Sequence, residues 1–340
     1  MYNKLPCDYT NLNKQIDYIY ENKRFPDNPT TFTQFISEER FHVPSQKPDI
    51  ESITRIDAKV IIEDKKLIET PVGSSLEGQG LTGYKLIVSG YINYNIIYVS
   101  KKLEQSLHSF RKKKEFCKYI VLENKIDSPE FIRVNTYIEN ICMVNFNERS
   151  LDICLALFLD VELCPACFRQ NKKACFEGCS SIKTIGLAKK LPSNPIYFKE
   201  TTVSKKLKIP SLKPNAKYIK SISSNVKIIS VRAIDTKEKT SYEGQNLSGC
   251  KLIVEFKTED LIVYTADNEL ESIHSARFEC YDSAFIVIPC EIDGYCIEGL
   301  LEEDKICVKA YIEDICIKNI DGRYLNRCLT LFLDGEVKCI

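Results

Sequence analysis

The chain reads as mainly β: two tandem repeated antiparallel β-sandwich-like domains with a short N-terminal helix or arm. Three observations predict this. Shifted by 166 positions, "EGQGLTGYKLIVS" (Glu77–Ser89) falls on "EGQNLSGCKLIVE" (Glu243–Glu255), with nine of thirteen residues identical. Within "KLIVSGYINYNIIYV", Leu86, Val88, Ile92, Tyr94, Ile96 and Tyr98 share one parity, opposite Lys85, Ser89, Asn93 and Asn95. Such alternation marks a half-buried strand. Finally, strand patterns spaced by turns, with few helical periods, favour a sandwich or open barrel.

The segments follow in order. Residues 1–29 form an arm. Leu12, Ile16 and Ile19 sit at helical spacing and "RFP" (Arg24–Pro26) stops the helix. An arm outside both repeats is able to reach a neighbouring molecule. Residues 30–163 form the first β domain. Its "FHVPSQKP" (Phe41–Pro48) answers "LKIPSLKP" (Leu207–Pro214), "LHS" (Leu107–Ser109) answers "IHS" (Ile273–Ser275), and "YIVL" (Tyr119–Leu122) answers "FIVI" (Phe285–Ile288). The matched Gly78 and Gly83 indicate turns with positive φ or close backbone approach. The basic run Arg111–Lys114 reads as a solvated turn. Ile153, Leu155, Leu157, Leu159 and Val161 form another apolar face, opposite Asp152, Cys154 and Asp160.

Residues 164–195 form a cysteine-rich linker, and 196–340 the second β domain. There "KTED" (Lys257–Asp260) interrupts the alternating run and suggests a hairpin turn. Beyond it the offset becomes 174: "YIENIC" (Tyr137–Cys142) meets "YIEDIC" (Tyr311–Cys316), and "CLALFLD" (Cys154–Asp160) meets "CLTLFLD" (Cys328–Asp334). The second copy's eight extra residues belong around Asp293–Glu303. Repeats this long are domains, since solenoid periods are about 20–50 residues.

Composition narrows the function. Lys plus Arg and Asp plus Glu number 47 each, so no whole-chain field recruits nucleic acid or anionic membrane. No apolar run approaches the roughly 18 residues of a span. The opening residues lack a basic region followed by an apolar one, which predicts synthesis in a cytosol. Sixteen cysteines then stand out, because cytosolic thiols stay reduced and a chain this long does not need disulfides for its core. They serve something other than folding.

No phosphate-cradling, nucleophile-elbow or metalloprotease motif is present. His108 and His274 are repeat-equivalent and read as hydrogen-bonded residues at strand ends. The matched acids Glu139 with Glu313, and Asp160 with Asp334, read as solvated strand surface. No catalytic residue and no cofactor is expected.

Two cysteine positions recur in both copies: Cys142 with Cys316, and Cys154 with Cys328. Cys142 shares parity with Val134, Ile138 and Val144, whereas Cys154 shares parity with Asp152 and Asp160. Parity therefore predicts buried thiols at Cys142 and Cys316, surface thiols at Cys154 and Cys328, and no pairing between them. Cys250 is placed with the buried thiols. Candidates for cross-links are Cys7, Cys154, Cys164, Cys167, Cys175, Cys179, Cys296, Cys328 and Cys339. The linker pattern C-x2-C-x7-C-x3-C (Cys164, Cys167, Cys175, Cys179) has zinc as its alternative. Seven residues between pairs is short against the usual 12–20 or so.

The order "IP..KP", "EGQ.L.G.KLIV", "I.Y", "HS" and a closing "LFLD" resembles the SPOCS domain of spore coat and exosporium proteins in endospore formers. The resemblance covers both repeats. Some members carry a peptidoglycan-binding LysM module, for which the residues after Asp334 leave no room. The cysteine content resembles self-assembling, cysteine-rich exosporium proteins. The resemblance implies synthesis in the mother-cell cytoplasm and assembly on the spore surface. It implies a disulfide-cross-linked homo-oligomeric lattice or filament, whose partners are the chain itself and other coat proteins. The alternative is a non-polymerising adaptor that recruits other coat proteins. A zinc-dependent or thiol-redox enzyme is the third reading.

Overall fold

The computed structural model describes residues 16–21, 23–163 and 182–338. Sixteen strands dominate them: β1 (Asp17–Ile19), β2 (Phe32–His42), β3 (Ile50–Ser74), β4 (Gly80–Ser100), β5 (Leu107–Val121), β6 (Ile132–Phe146), β7 (Ser150–Leu163), β8 (Lys183–Ile185), β9 (Tyr197–Lys208), β10 (Ala216–Thr240), β11 (Asn246–Ala266), β12 (Ile273–Pro289), β13 (Glu291–Ile292), β14 (Tyr295–Cys296), β15 (Ile306–Asn319) and β16 (Tyr324–Val337). A short α-helix, α1 (Ile297–Glu302), fills the eight-residue insertion and buries Ile297 and Leu300, and a 3-10 turn spans Pro129–Phe131.

Each copy builds a four-stranded and a three-stranded sheet. The first copy has the orders β1-β3-β4-β5 and β2-β7-β6; the second has β8-β10-β11-β12 and β9-β16-β15. All pairings given in register are antiparallel except β1 on β3 and β8 on β10. The expected helix is therefore corrected where the chain is described: Asp17–Ile19 is a strand, pairing with Arg55–Asp57. Its counterpart Lys183–Ile185 makes the same parallel pairing with Ser221–Ser223. Leu12 lies outside the described residues.

The alternating residues form the cores. Leu86, Val88, Ile92, Tyr94, Ile96 and Tyr98 are buried on β4, and Ile153, Leu155, Leu157 and Leu159 on β7. Aromatic contacts join the first copy's sheets: Phe41 lies 4.9 Å from Tyr94, and Phe35 5.5 Å from Phe116, between ring centroids. The second copy packs Leu252, Val254 and Phe256 of β11 with Leu329, Leu331 and Leu333 of β16 in one cluster.

"KTED" does not make a hairpin. β11 runs straight through it because its polar groups are satisfied in place. Asp260 accepts from Ser224 Oγ at 2.6 Å and from Arg327 Nε at 3.0 Å, and Thr258 Oγ1 accepts from Arg327 Nη2 at 2.8 Å. Arg327 and Asp260 are fully buried, so the pair is held by hydrogen bonds on both sides. The basic run is likewise not a turn but part of β5, where Lys114 pairs with Glu39 and Lys113 covers the Tyr91 ring at 3.4 Å.

Matched arginines explain the "IP..KP" segments. Arg149 donates to the carbonyls of Lys47 (2.7 Å), Val43 (3.1 Å) and Pro44 (2.9 Å). Arg323 donates to those of Lys213 (2.7 Å), Pro210 (2.9 Å) and Ile209 (3.4 Å). Each prolyl turn is thus held by one guanidinium, Arg149 through both Nη atoms and Arg323 through Nη1.

The chain forms two compact units that cut across the repeats. One takes the chain up to Lys65, Val88–Ile120 and the chain from Asp127 through β7; the other takes Lys66–Ile87, Val121–Ile126 and the chain from β8 on. The distal β3–β4 hairpin of the first copy thus belongs to the unit that holds the second copy.

Candidate functional site

Two features carry chemistry: opposed thiols, and a joint that one copy's hairpin makes with the other copy's sheet.

Cys142 faces Cys154 across β6 and β7, and Cys316 faces Cys328 across β15 and β16. This overturns the parity reading, and the cause is a bulge in each copy. The register slips between Ile138 and Asn140, and between Ile312 and Asp314. The extra residue, Glu139 or Glu313, reverses the faces after it. Ile141 and Met143, or Ile315 and Ile317, then turn inward. Cys142, Cys316 and Cys154 are half-buried. Cys328 is buried at 2% exposure, on the face of β16 that carries the buried Thr330, Phe332 and Asp334, so it is not a surface thiol. Directly opposed residues have Cβ atoms about 4.5–5.5 Å apart, close to disulfide geometry. Burial, and then the neighbouring Cys142, push the Cys154 thiol up.

A third close pair is Cys250 with Cys290. Burial, Cys290 and Asp235 push the Cys250 thiol up to about 12, so it holds its proton. Cys250 is buried. Among the described residues, Cys296 is the exposed cysteine. Cys7, Cys164, Cys167, Cys175, Cys179 and Cys339 lie outside the described residues, so the linker's zinc reading does too. Among the described residues no three metal-ligating side chains gather.

The joint lies within one unit. Leu81, at the hairpin's start of β4, packs on Phe198 and Phe332 with Val121 and Tyr311 around it. Phe198 stacks on Phe332 at 5.2 Å, and Tyr311 lies 6.4 Å from Phe332. Beside this apolar contact is a buried charge cluster. Lys85 Nζ lies 2.8 Å from Glu313 Oε2 and also pairs with Glu200. Thr70 donates to Glu313 Oε1 at 2.8 Å. Burial pushes the Lys85 ammonium down to about 8, and Glu313 pulls the other way. Lys199 holds the Glu77 carboxylate at 2.6 and 2.7 Å, and Gln79 Oε1 accepts from the Glu200 amide at 3.0 Å. At the tip, Gly78 has φ +102°, and a Cβ there would stand 2.4 Å from the Gly244 carbonyl oxygen. The matched glycine is therefore required on both counts.

The acids were expected to be solvated. Glu313, Asp160 and Asp334 are instead buried, and burial pushes Asp334 up to about 6. Glu139 alone of the four is exposed, accepting from Gln34 Nε2 at 2.8 Å. His108 and His274 stand at strand starts, 3.0 Å from Ser106 Oγ and 2.9 Å from Ser272 Oγ. The arginine clamps and the buried Lys85 cluster were missed in the sequence. The clamps had a signal, because Arg149 and Arg323 match at the 174 offset.

Residues 49–145 match the family model described as "SipL, SPOCS domain". No curated protein matches the chain. Among solved structures, a crystal structure of lipopolysaccharide binding protein aligns over 89% of this chain and 92% of that one, at 7% identity and a TM-score of 0.14, too low to carry an argument. No helix among the described residues is long and apolar enough to cross a membrane.

Proposed function

We propose that this chain, which carries a SPOCS domain and is thereby sporulation-related, is a structural protein of the spore coat or exosporium. It assembles with copies of itself into a lattice or filament, and cysteines then lock the assembly covalently. Synthesis in the mother-cell cytoplasm and exposure to oxidant after lysis fit sixteen cysteines in one chain. The observation that carries the reading is the joint: a sheet of one copy already receives the hairpin of the other, burying Leu81, Lys85 and Glu77. A fold that binds its own repeat has the surface needed to bind its own kind. Other coat proteins are further partners in this reading.

Electron microscopy and gels test it. Purified chain should form ordered particles larger than a small oligomer. Oxidised assemblies boiled in denaturant without reductant should stay large. A discrete small species at high concentration points to the adaptor, and monomer released by denaturant alone removes the covalent step.

A further inference from the structure

The first copy presents the same receiving face as the second, but open. Phe32 stacks on Phe158 at 5.0 Å, as Phe198 does on Phe332 at 5.2 Å. Tyr137 lies 5.8 Å from Phe158, as Tyr311 lies 6.4 Å from Phe332. The registers agree: Gln34 opposes Phe158 and Phe32 opposes Asp160, as Glu200 opposes Phe332 and Phe198 opposes Asp334. Exposure does not agree. Phe32 is 42% exposed, whereas Phe198 is 1% exposed. Gln34 and Glu139 are exposed where Glu200 and Glu313 are buried. Phe25 rests on Tyr137 at 5.1 Å, much as Leu81 meets Tyr311, and is itself 42% exposed.

The second copy also carries the matching hairpin. Its tip repeats the turn of the first: Gly244 donates to the Ser241 carbonyl and Ser241 to that of Gln245, as Gly78 does to Ser75 and Ser75 to Gln79. Leu247 stands for Leu81 and Lys251 for Lys85 in the sequence match. Residues 241–246 are exposed, touching their own chain at Glu77, whose carbonyl accepts from the Asn246 amide at 2.8 Å and whose carboxylate accepts from Gln245 Nε2 at 3.0 Å. Lys251 rests over the Phe285 ring at 4.1 Å.

We infer that the β10–β11 hairpin of one molecule docks on the open β2-β7-β6 face of a second copy of this chain. Leu247 meets Phe32 and Phe158, displacing Phe25, and Lys251 meets Glu139. The charges are complementary, since Lys251 takes the place of Lys85 and Glu139 that of Glu313. The contact joins two different surfaces, so it is heterologous and leaves a free hairpin at one end and a free face at the other. Such a contact propagates into an open head-to-tail chain. This inference rests on the self-assembly reading and specifies its interface.

Complementary variants test it, under reductant, by sedimentation velocity. Leu247→Asp blocks the hairpin and Phe32→Asp blocks the face; each leaves the other surface intact. Each variant alone should be monomeric where the parent chain polymerises, with a dissociation constant raised at least roughly tenfold. Mixed, they should form a one-to-one dimer and stop. Lys251→Glu and Glu139→Lys change exposed or half-buried charges and guard against misfolding; each should weaken assembly, and the double variant should restore it. Circular dichroism matching the parent establishes that each variant folds. Variants that polymerise like the parent, or a mixture that stays monomeric, overturn the interface while self-assembly stands. A parent chain that stays monomeric at every concentration overturns both.

Discussion

Oxidation should join Cys142 to Cys154, and Cys316 to Cys328, within one molecule. Each pair encloses eleven intervening residues. Closing a loop of about 13 residues removes chain entropy worth about 3 kcal/mol at 25 °C. For units of roughly 140 and 200 residues this raises the melting temperature by about 6–12 °C. Glutathione disulfide is a suitable oxidant: two protein thiols lose their hydrogens to form one bond, and one oxidised glutathione becomes two thiols. Because burial and Cys142 push the Cys154 thiol up, its thiolate is scarce at neutral pH. Exchange should therefore be slow at pH 7 and faster at pH 9. The assay is alkylation after oxidation, peptide mapping, and calorimetry of oxidised and reduced protein. Cys154→Ser should remove one unit's shift and leave the other's. Mapping that finds Cys142 or Cys316 bonded to another molecule, or still alkylatable once Cys296 is consumed, refutes the cross-strand reading.

Three further outcomes are expected. Lys85→Met leaves Glu200 and Glu313 buried without their cation and should cost about 3–5 kcal/mol in urea unfolding; a loss below ~1 kcal/mol would show that solvent reaches the cluster. Asp334, raised to about 6 by burial, keeps a proton that the unfolded carboxyl releases near 3.8. Its favourable contribution is full below the unfolded value and lost as pH rises through 6, so Asp334→Asn should stabilise by about 2–3 kcal/mol at pH 8 and little at pH 3.5. Equal effects at both pH values would contradict this. Cys250 should resist iodoacetamide at pH 8 in the folded chain while Cys296 reacts within minutes, as mass spectrometry of timed quenches would record; comparable rates would mean that β11 opens readily.

The strands of the central sheets were legible because their apolar residues keep strict alternation. Leu86 through Tyr98 are buried on the parity that the sequence shows. The insertion was legible too, since Asp293–Glu303 holds β14 and α1, with β13 just ahead of it. The thiol pairs were not. One bulged residue, Glu139 or Glu313, reverses the faces of the residues that follow it (in the first copy up to Met143, where a second slip occurs), and nothing local in "YIENIC" or "YIEDIC" announces an unpaired residue. "KTED" misled for a different reason: Asp260 and Thr258 are satisfied by Arg327, sixty-seven and sixty-nine residues away. The joint escaped because it depends on tertiary placement. Lys85 stands on the polar parity of β4 and reads as solvent-facing until Glu200 and Glu313 cover it.

One substitution within the repeat sets the two joints apart. Where the closed face has Glu200, the open face has Gln34. Lys85 sits between two carboxylates inside the chain, whereas Lys251 would meet one carboxylate and an amide. The inner contact is part of the folded chain. The outer contact inferred above would be held by less charge and so would release and re-form more readily. An array built as proposed would need such reversibility, because misplaced subunits must leave before oxidation fixes them. In the proposed assembly a single amide in place of a carboxylate would thus separate what is built permanently from what is allowed to anneal.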